Sequence, residues 1–274
     1  MKTAVEHRVS NPSKLPAGAQ KVNFAGIPIY DSSLEELVRH IDENLVQNVS
    51  THIIALNPDS FLVSQRDAEF RRILSSAEFV VCDGVGIVIA SRLFSNERIE
   101  HRLVGLELMV RLSELSASKG YGIFLFGGTD GAAECCARAL QVRLPSLRVV
   151  GFYEPPFVED ERFLDNSKIV EKINRLKPEI VFVALGAPKQ EKWIERHRRE
   201  LTAPILMGVG ASFDFIGGKV PRAPVWMQRI GLEWLFRLLV EPRRLAKRYL
   251  IGIPHFFFVT SQLYFRSQVK KRRP

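Results

Sequence analysis

Hydrophobic positions along this chain come in short runs, each followed by a longer stretch whose apolar residues return at helical spacing. "KVNFAGIPIYD" (21–31) reads as a strand pair or a strand and turn, and "SLEELVRHIDENLVQN" (33–48) as an amphipathic helix. The alternation then repeats. "HIIALN" precedes "PDSFLVSQRDAEFRRILSSA", where Pro58 suits a first helical turn, and "FVVCDG" precedes "VGIVIASRLF". "GIFLFGG" precedes "TDGAAECCARALQVRLP", and "LRVVGFY" precedes "VEDERFLDNSKIVEKINRLK". "EIVFVALGAP" precedes "KQEKWIERHRREL", and "APILMGVG" closes the series. Six apolar runs with helices between them predict an α/β fold: a mostly parallel sheet covered by helices on both faces.

In such sheets ligands lie beyond the carboxyl ends of the strands. The predicted strand ends carry Asn57, Asp83, Gly127-Gly128 and Gly186-Ala187-Pro188, and "GVGASFDFIGG" brings Asp214 to the same rim. The glycines after Asp83 do not make a dinucleotide fingerprint. G-x-G-x-x-G/A needs a small third residue, and the chain has Ile89 there. The turn at Gly127 and Gly128, capped by Thr129 or Asp130, offers backbone N–H groups to a phosphate or a sugar. Beside Pro188, Lys189 can pair with a diphosphate and Gln190 can hold a sugar hydroxyl; a capped helix with an exposed lysine is the plainer alternative.

Charge divides the chain. From Arg222 to Pro274 there are twelve Lys and Arg against two acids, Glu233 and Glu241, while the other 221 residues hold 27 bases and 28 acids. The organisation expected is a flexible arm at 1–20, a catalytic domain at 21–221 and a basic, amphipathic helical appendage at 222–274. The run Tyr249–Phe265 contains Pro254, His255 and Gln262 and is too short and too polar to cross a bilayer. Aromatics flanked by cations suit an anionic membrane surface; packing of an apolar helical hairpin on the main domain is the alternative. The neutral body offers no phosphate track, so nucleic acid is not an expected partner. Three cysteines (Cys82, Cys135, Cys136) and no export signal predict a cytoplasmic protein.

Asp83 is the only carboxylate directly after a core strand. A glycosidase wants two carboxyls, whereas a transferase with a nucleotide-sugar donor needs one base, because the diphosphate already leaves well once cations neutralise it. No D-x-D metal motif is present, and scattered His and Cys predict no structural metal.

"ALNPDSFLV", "VVCDGVGIV", "HRLVGLELM", "FLFGG", "VALGAPKQEKWI", "GVGASFDFIGGKVPRAP" and "GLEWLFRLLVEPRRLAKRYL", spread from Val22 to Phe257, resemble the WecG/TagA/CpsF glycosyltransferases. The resemblance implies a Rossmann-like sheet with a membrane-associating C-terminal appendage. It implies inverting, metal-independent transfer of a sugar from a UDP-sugar to a lipid-diphosphate-linked saccharide on the inner membrane face. Residue by residue, it implies that Asp83 is the base, that Arg102 and Asn57 are catalytic, and that Gln190 and Asp214 bind substrate, Asp214 near the nucleobase. Arg237 and Arg244, with Lys247 or Arg248 as a third, would face the donor diphosphate. Ala55 stands where many members carry Thr, which leaves the sugar open among N-acetylmannosamine, its uronic acid and glucose. No cofactor beyond the donor is expected, and a homo-oligomer is left open. The competing readings are a nucleotide-dependent oxidoreductase and a non-catalytic membrane-surface protein.

Overall fold

The computed structural model describes residues 20–156 and 160–271. The expected arm at 1–20 therefore lies outside the described residues except for Gln20, which opens the first strand. In chain order the elements are β1 (Gln20–Phe24), β2 (Ile27–Asp31), α1 (Leu34–Val46), β3 (Thr51–Leu56), α2 (Pro58–Ser64), α3 (Ala68–Ser76), β4 (Phe79–Cys82) and α4 (Val85–Phe94). Next come α5 (Gly105–Lys119), β5 (Gly122–Gly127), α6 (Ala132–Arg143), β6 (Arg148–Tyr153), α7 (Asn166–Leu176), β7 (Ile180–Ala184), α8 (Lys189–His197), β8 (Ile205–Gly208) and α9 (Ser212–Ile216). The basic tail supplies α10 (Val225–Arg229), α11 (Glu233–Val240), α12 (Pro242–Leu250) and α13 (Gly252–Lys271).

The six apolar runs are the six strands of one parallel sheet, ordered β4-β3-β8-β7-β5-β6. "KVNFAGIPIYD" makes the separate antiparallel hairpin β1–β2. Because side chains alternate across a strand, Ile53, Phe79 and Val81 face the layer of α1, α5 and α6, which meets them with Ile41, Leu108, Leu112 and Leu140. Ile54, Leu56 and Val80 face the opposite layer, built from the hairpin and from Phe61, Phe70 and Ile87. Further along that face, Phe124, Phe126 and Val183 pack against Trp193 and Ile194 of α8.

The amphipathic run 58–77 is two helices rather than one. The Asp67 side chain accepts the Phe70 N–H at 2.9 Å, a cap that starts α3 afresh. The tail is also more firmly seated than its exposed aromatics imply. Phe256 of α13 is wholly buried, its ring centroid 5.4 Å from Phe61 and 6.5 Å from Phe24. Burying one such ring contributes on the order of 2–3 kcal/mol, enough to dock the helix on α2 and α4. Among the described residues no helix is long and apolar enough to cross a membrane.

Candidate active site

Asp83 is the first residue above the sheet. Its N–H makes the last bond to β3, donating to the Leu56 carbonyl at 2.8 Å, and the chain then turns into α4. Leu103 N–H donates to the Cys82 carbonyl at 2.8 Å, which brings the segment before α5 alongside. Gly105 begins that helix against the carboxylate: a Cβ there would sit 2.9 Å from Ala55 Cβ and 3.6 Å from Asp83 Oδ2. The glycines of "DGVG" serve packing. A Cβ at Gly86 would meet Pro58 Cγ at 2.9 Å, and Gly84 has φ +115°, so the starts of α2 and α4 touch only because both are glycine.

Above Asp83 lies a cavity of about 800 Å³, within the usual size of small-molecule sites. Its sheet side is formed by Ala55, Asn57, Asp83, Arg102, Gln190 and the Val209–Ser212 turn; its other side belongs to the appendage, with Glu233, Trp234, Arg237, Arg248 and Tyr249. Burial pushes the Asp83 carboxyl up to about 6, with the charge of Glu233 adding to the rise; the Gly105 N–H and the Arg102 guanidinium oppose it. The α5 N-terminus behind that N–H also favours the anionic form.

The other polar groups have defined tasks. Asn57 caps α2, its Oδ1 accepting the Ser60 N–H at 3.0 Å. Gln190 Oε1 accepts N–H groups from Gly186 (3.1 Å) and Gly210 (3.0 Å), pinning the loops after β7 and β8 together. Its Nε2 donates to Glu191 Oε1 at 2.7 Å. Glu191 is 2% exposed, its Oε2 has no hydrogen-bond partner among the described residues, and burial raises its carboxyl to about 7. Arg102 Nη2 donates to the Gln228 carbonyl at 3.0 Å and so ties the appendage to the rim. Gly231, at φ +76°, seats the α10–α11 turn on Val85.

Arg237 lies over the Phe215 ring at 5.0 Å, and its Nε is buried without a hydrogen-bond partner among the described residues. Such a donor is suited to an anion brought into the cavity. Arg248 Nε stands 3.3 Å from Asp59 Oδ2. Of the two candidates for a third cation, Arg248 lines the cavity and Lys247 is exposed elsewhere. The Arg244 side chain lies outside the described residues.

Other residues expected at the site are not gathered there. Gly128 and Lys189 line a separate hollow of about 120 Å³ with Thr129, Pro155 and Glu161. Gly127 is glycine because a Cβ would lie 2.6 Å from the Ala184 carbonyl, and Gly128 N–H donates to that carbonyl at 2.9 Å. The N–H groups offered to a phosphate at the start of α6 already have an anion. Glu154 accepts from Gly131 at 2.8 Å and from Ala133 at 2.5 Å, while Lys219 Nζ donates to the Thr129 and Asp130 carbonyls. Asp214, on α9, does not line the cavity; after burial, its charge is the next influence raising the Cys136 thiol of α6. Conversely, Glu233, Gly105 and Phe215 were not singled out as site residues. The signal for Glu233 was available: it is one of two acids in a segment otherwise basic.

A parallel α/β sheet with its cavity at the carboxyl edge, a carboxylate on the floor and guanidinium groups in the roof is the architecture of an α/β protein suited to group transfer. Residues 22–272 match the Glycosyl transferase WecG/TagA/CpsF family; the chain belongs to that family and is a glycosyltransferase. A relative from Bacillus subtilis (strain 168), named N-acetylglucosaminyldiphosphoundecaprenol N-acetyl-beta-D-mannosaminyltransferase, is 31% identical over 238 residues, 86% of this chain and 90% of its own length. One of the same name from Staphylococcus aureus (strain NCTC 8325 / PS 47) is 28% identical over 256 residues, 92% of this chain and 96% of its own.

Proposed function

We propose that this enzyme transfers N-acetylmannosamine from a UDP-sugar to an N-acetylglucosamine carried on a polyprenyl diphosphate, with inversion at the anomeric carbon. The observation that carries the reading is the pairing, across one cavity, of the Asp83 carboxylate with the Arg237 guanidinium, whose buried Nε lacks a partner among the described residues. The names of the relatives supply the sugar and the acceptor. In the step, a hydroxyl oxygen of the acceptor attacks the anomeric carbon from the face opposite the diphosphate. The bond from that carbon to the diphosphate oxygen breaks, UDP leaves, and the hydroxyl proton passes to Asp83. Arg237 and Arg248 neutralise the departing diphosphate, the task a divalent cation performs in other transferases. The Asp83 carboxylate also steadies the positive charge that builds on the ring as the bond breaks.

A diphosphate-linked prenyl chain resides in a bilayer, so the reading places the enzyme on the inner membrane face. Trp226, Ile230, Leu250, Ile251 and Phe258, all exposed on the appendage, are suited to the interface, and the tail's Lys and Arg to anionic lipid. Incubation with UDP-N-acetylmannosamine and a synthetic prenyl-diphosphate N-acetylglucosamine should yield UDP and a β-linked disaccharide lipid, read by mass and by the anomeric proton coupling. Absence of transfer from any UDP-sugar, with no protection of the fold by UDP against heat, would overturn the proposal.

A further inference from the structure

The tail supplies cations, yet it also brings an acid to the cavity. Glu233 is the first residue of α11, where an acid ordinarily complements the helix dipole and points to water. Here its side chain is only 22% exposed and lines the same cavity as Asp83. Its cationic neighbour is loosely held: Arg222 Nε stands 3.6 Å from Glu233 Oε1 and has no hydrogen bond among the described residues, while Arg222 Nη2 donates to Glu107 at 2.9 Å. Two carboxylates in one low-dielectric cavity repel, and a helix-start acid with no further task would gain by turning outward.

We propose that Glu233 is a positioning residue of the reaction centre, a second carboxylate that only the seated appendage supplies and that acts through Asp83. The inference rests on Asp83 being the base, as proposed above. The groups whose charge or hydrogen bond reaches Asp83 are Arg102 and the Gly105 N–H from the segment opening α5, Glu107 in the first turn of α5, Cys82 at the end of β4, and Glu233 from α11. Arg237 and Arg248 line the cavity farther along the appendage. Among these, Glu233 makes the largest charge contribution in the direction of proton uptake. Its charge makes Asp83 a stronger base when α11 is in place and a weaker one when it is not. A base strengthened by the same roof that covers it suits an enzyme that must spare its donor from water.

The test is a titration of the whole chain carrying ¹³Cγ-labelled aspartate, with Asp83→Asn assigning the signal. In Glu233→Gln the Asp83 midpoint should fall, and the acid limb of kcat/KM should fall with it. Turnover at pH 8 should drop by roughly 2–5-fold because the base is weaker. Glu107→Gln is the control for mere loosening, since it takes the charge from the tighter Arg222 contact; Glu107 raises Asp83 less than Glu233 does, so its shift should be smaller. Glu233→Asp should restore part of the midpoint. An Asp83 midpoint unmoved by Glu233→Gln, or moved equally by Glu107→Gln, would overturn the inference. A midpoint that moves in a protein showing no transfer from any UDP-sugar would leave the coupling standing and remove the functional reading instead.

Discussion

The two halves of the sheet's carboxyl rim are built from similar turns and end differently. At β5 and β6 the chain satisfies its own rim: Glu154 takes the N–H groups at the start of α6, and Lys219 takes the carbonyls of Thr129 and Asp130. At β4, β3 and β8 the rim keeps a raised carboxyl at Asp83, and the appendage above it keeps a guanidinium donor on Arg237 without a partner among the described residues. A buried polar group left unmatched is costly, so an unmatched donor that lines a cavity is a natural partner for a ligand group brought there. The half that stays electrostatically unfinished is the half to which the proposed reaction is assigned.

The largest effect that follows from this contrast concerns Asp83. Asp83→Asn keeps the shape and removes the proposed base, and turnover should fall by about 10²–10⁴-fold. Because the Asp83 carboxyl lies at about 6, activity of the wild type should fade as pH drops through 6 and the base takes up a proton. Near-normal turnover in the Asn variant would move the reaction centre elsewhere on the rim. Arg237→Ala comes next. Loss of one preorganised donor to the leaving group should lower kcat by about 10²–10³-fold. Stability should fall less than activity, since the side chain's contact with a second element is its stacking over the Phe215 ring of α9 at 5.0 Å, worth about 0.5–2 kcal/mol. A large fall in melting temperature without loss of kcat would make Arg237 a structural residue.

A smaller effect, on stability alone, belongs to Glu191 at the boundary of the two halves. Burial raises its carboxyl to about 7, above the unfolded value, so the folded state binds the proton more tightly than the unfolded chain. This group's contribution is therefore fully present below the unfolded value and lost as pH rises through 7. Glu191→Gln keeps an acceptor for Gln190 Nε2 and removes the ionisation. The variant should melt near the wild type at pH 5 and above it at pH 8; an equal offset at both pH values would mean that the carboxyl does not titrate there.

How far the chain could be read in advance follows the same line. Strands and strand ends are local, so all six apolar runs and the rim positions of Asn57 and Asp83 were legible. Strand order is not local. The crossover that places β8 and β7 between β3 and β5 decides that Gly128 and Lys189 open onto a different hollow from Asp83, and no short pattern announces it. Gln190 was expected to bind sugar from its motif, and the fold uses its carbonyl to join two loops. The resemblance pointed to the tail's arginines; Glu233 stood out as one of two acids in a basic segment, but an acid at a helix start looks like an ordinary dipole partner until the fold turns it into the cavity.

The smallest effect is the one that tests whether the sealed half is truly outside the reaction. Glu154→Ala frees two N–H groups at the α6 start, a loss comparable to removing a helix cap, about 0.5–2 kcal/mol. Melting should fall by a few degrees, about 2–4 °C per kcal/mol in a chain of this size. Transfer should stay within about two-fold of the wild type, because differential binding of the transition state is untouched. Lys189→Ala, on the same hollow, should likewise leave KM for the donor within about two-fold. A loss of transfer beyond about ten-fold in either variant, with melting unchanged, would mean that the donor reaches across β7 to the α6 turn. The boundary between a finished and an unfinished rim would then have to be redrawn at β5.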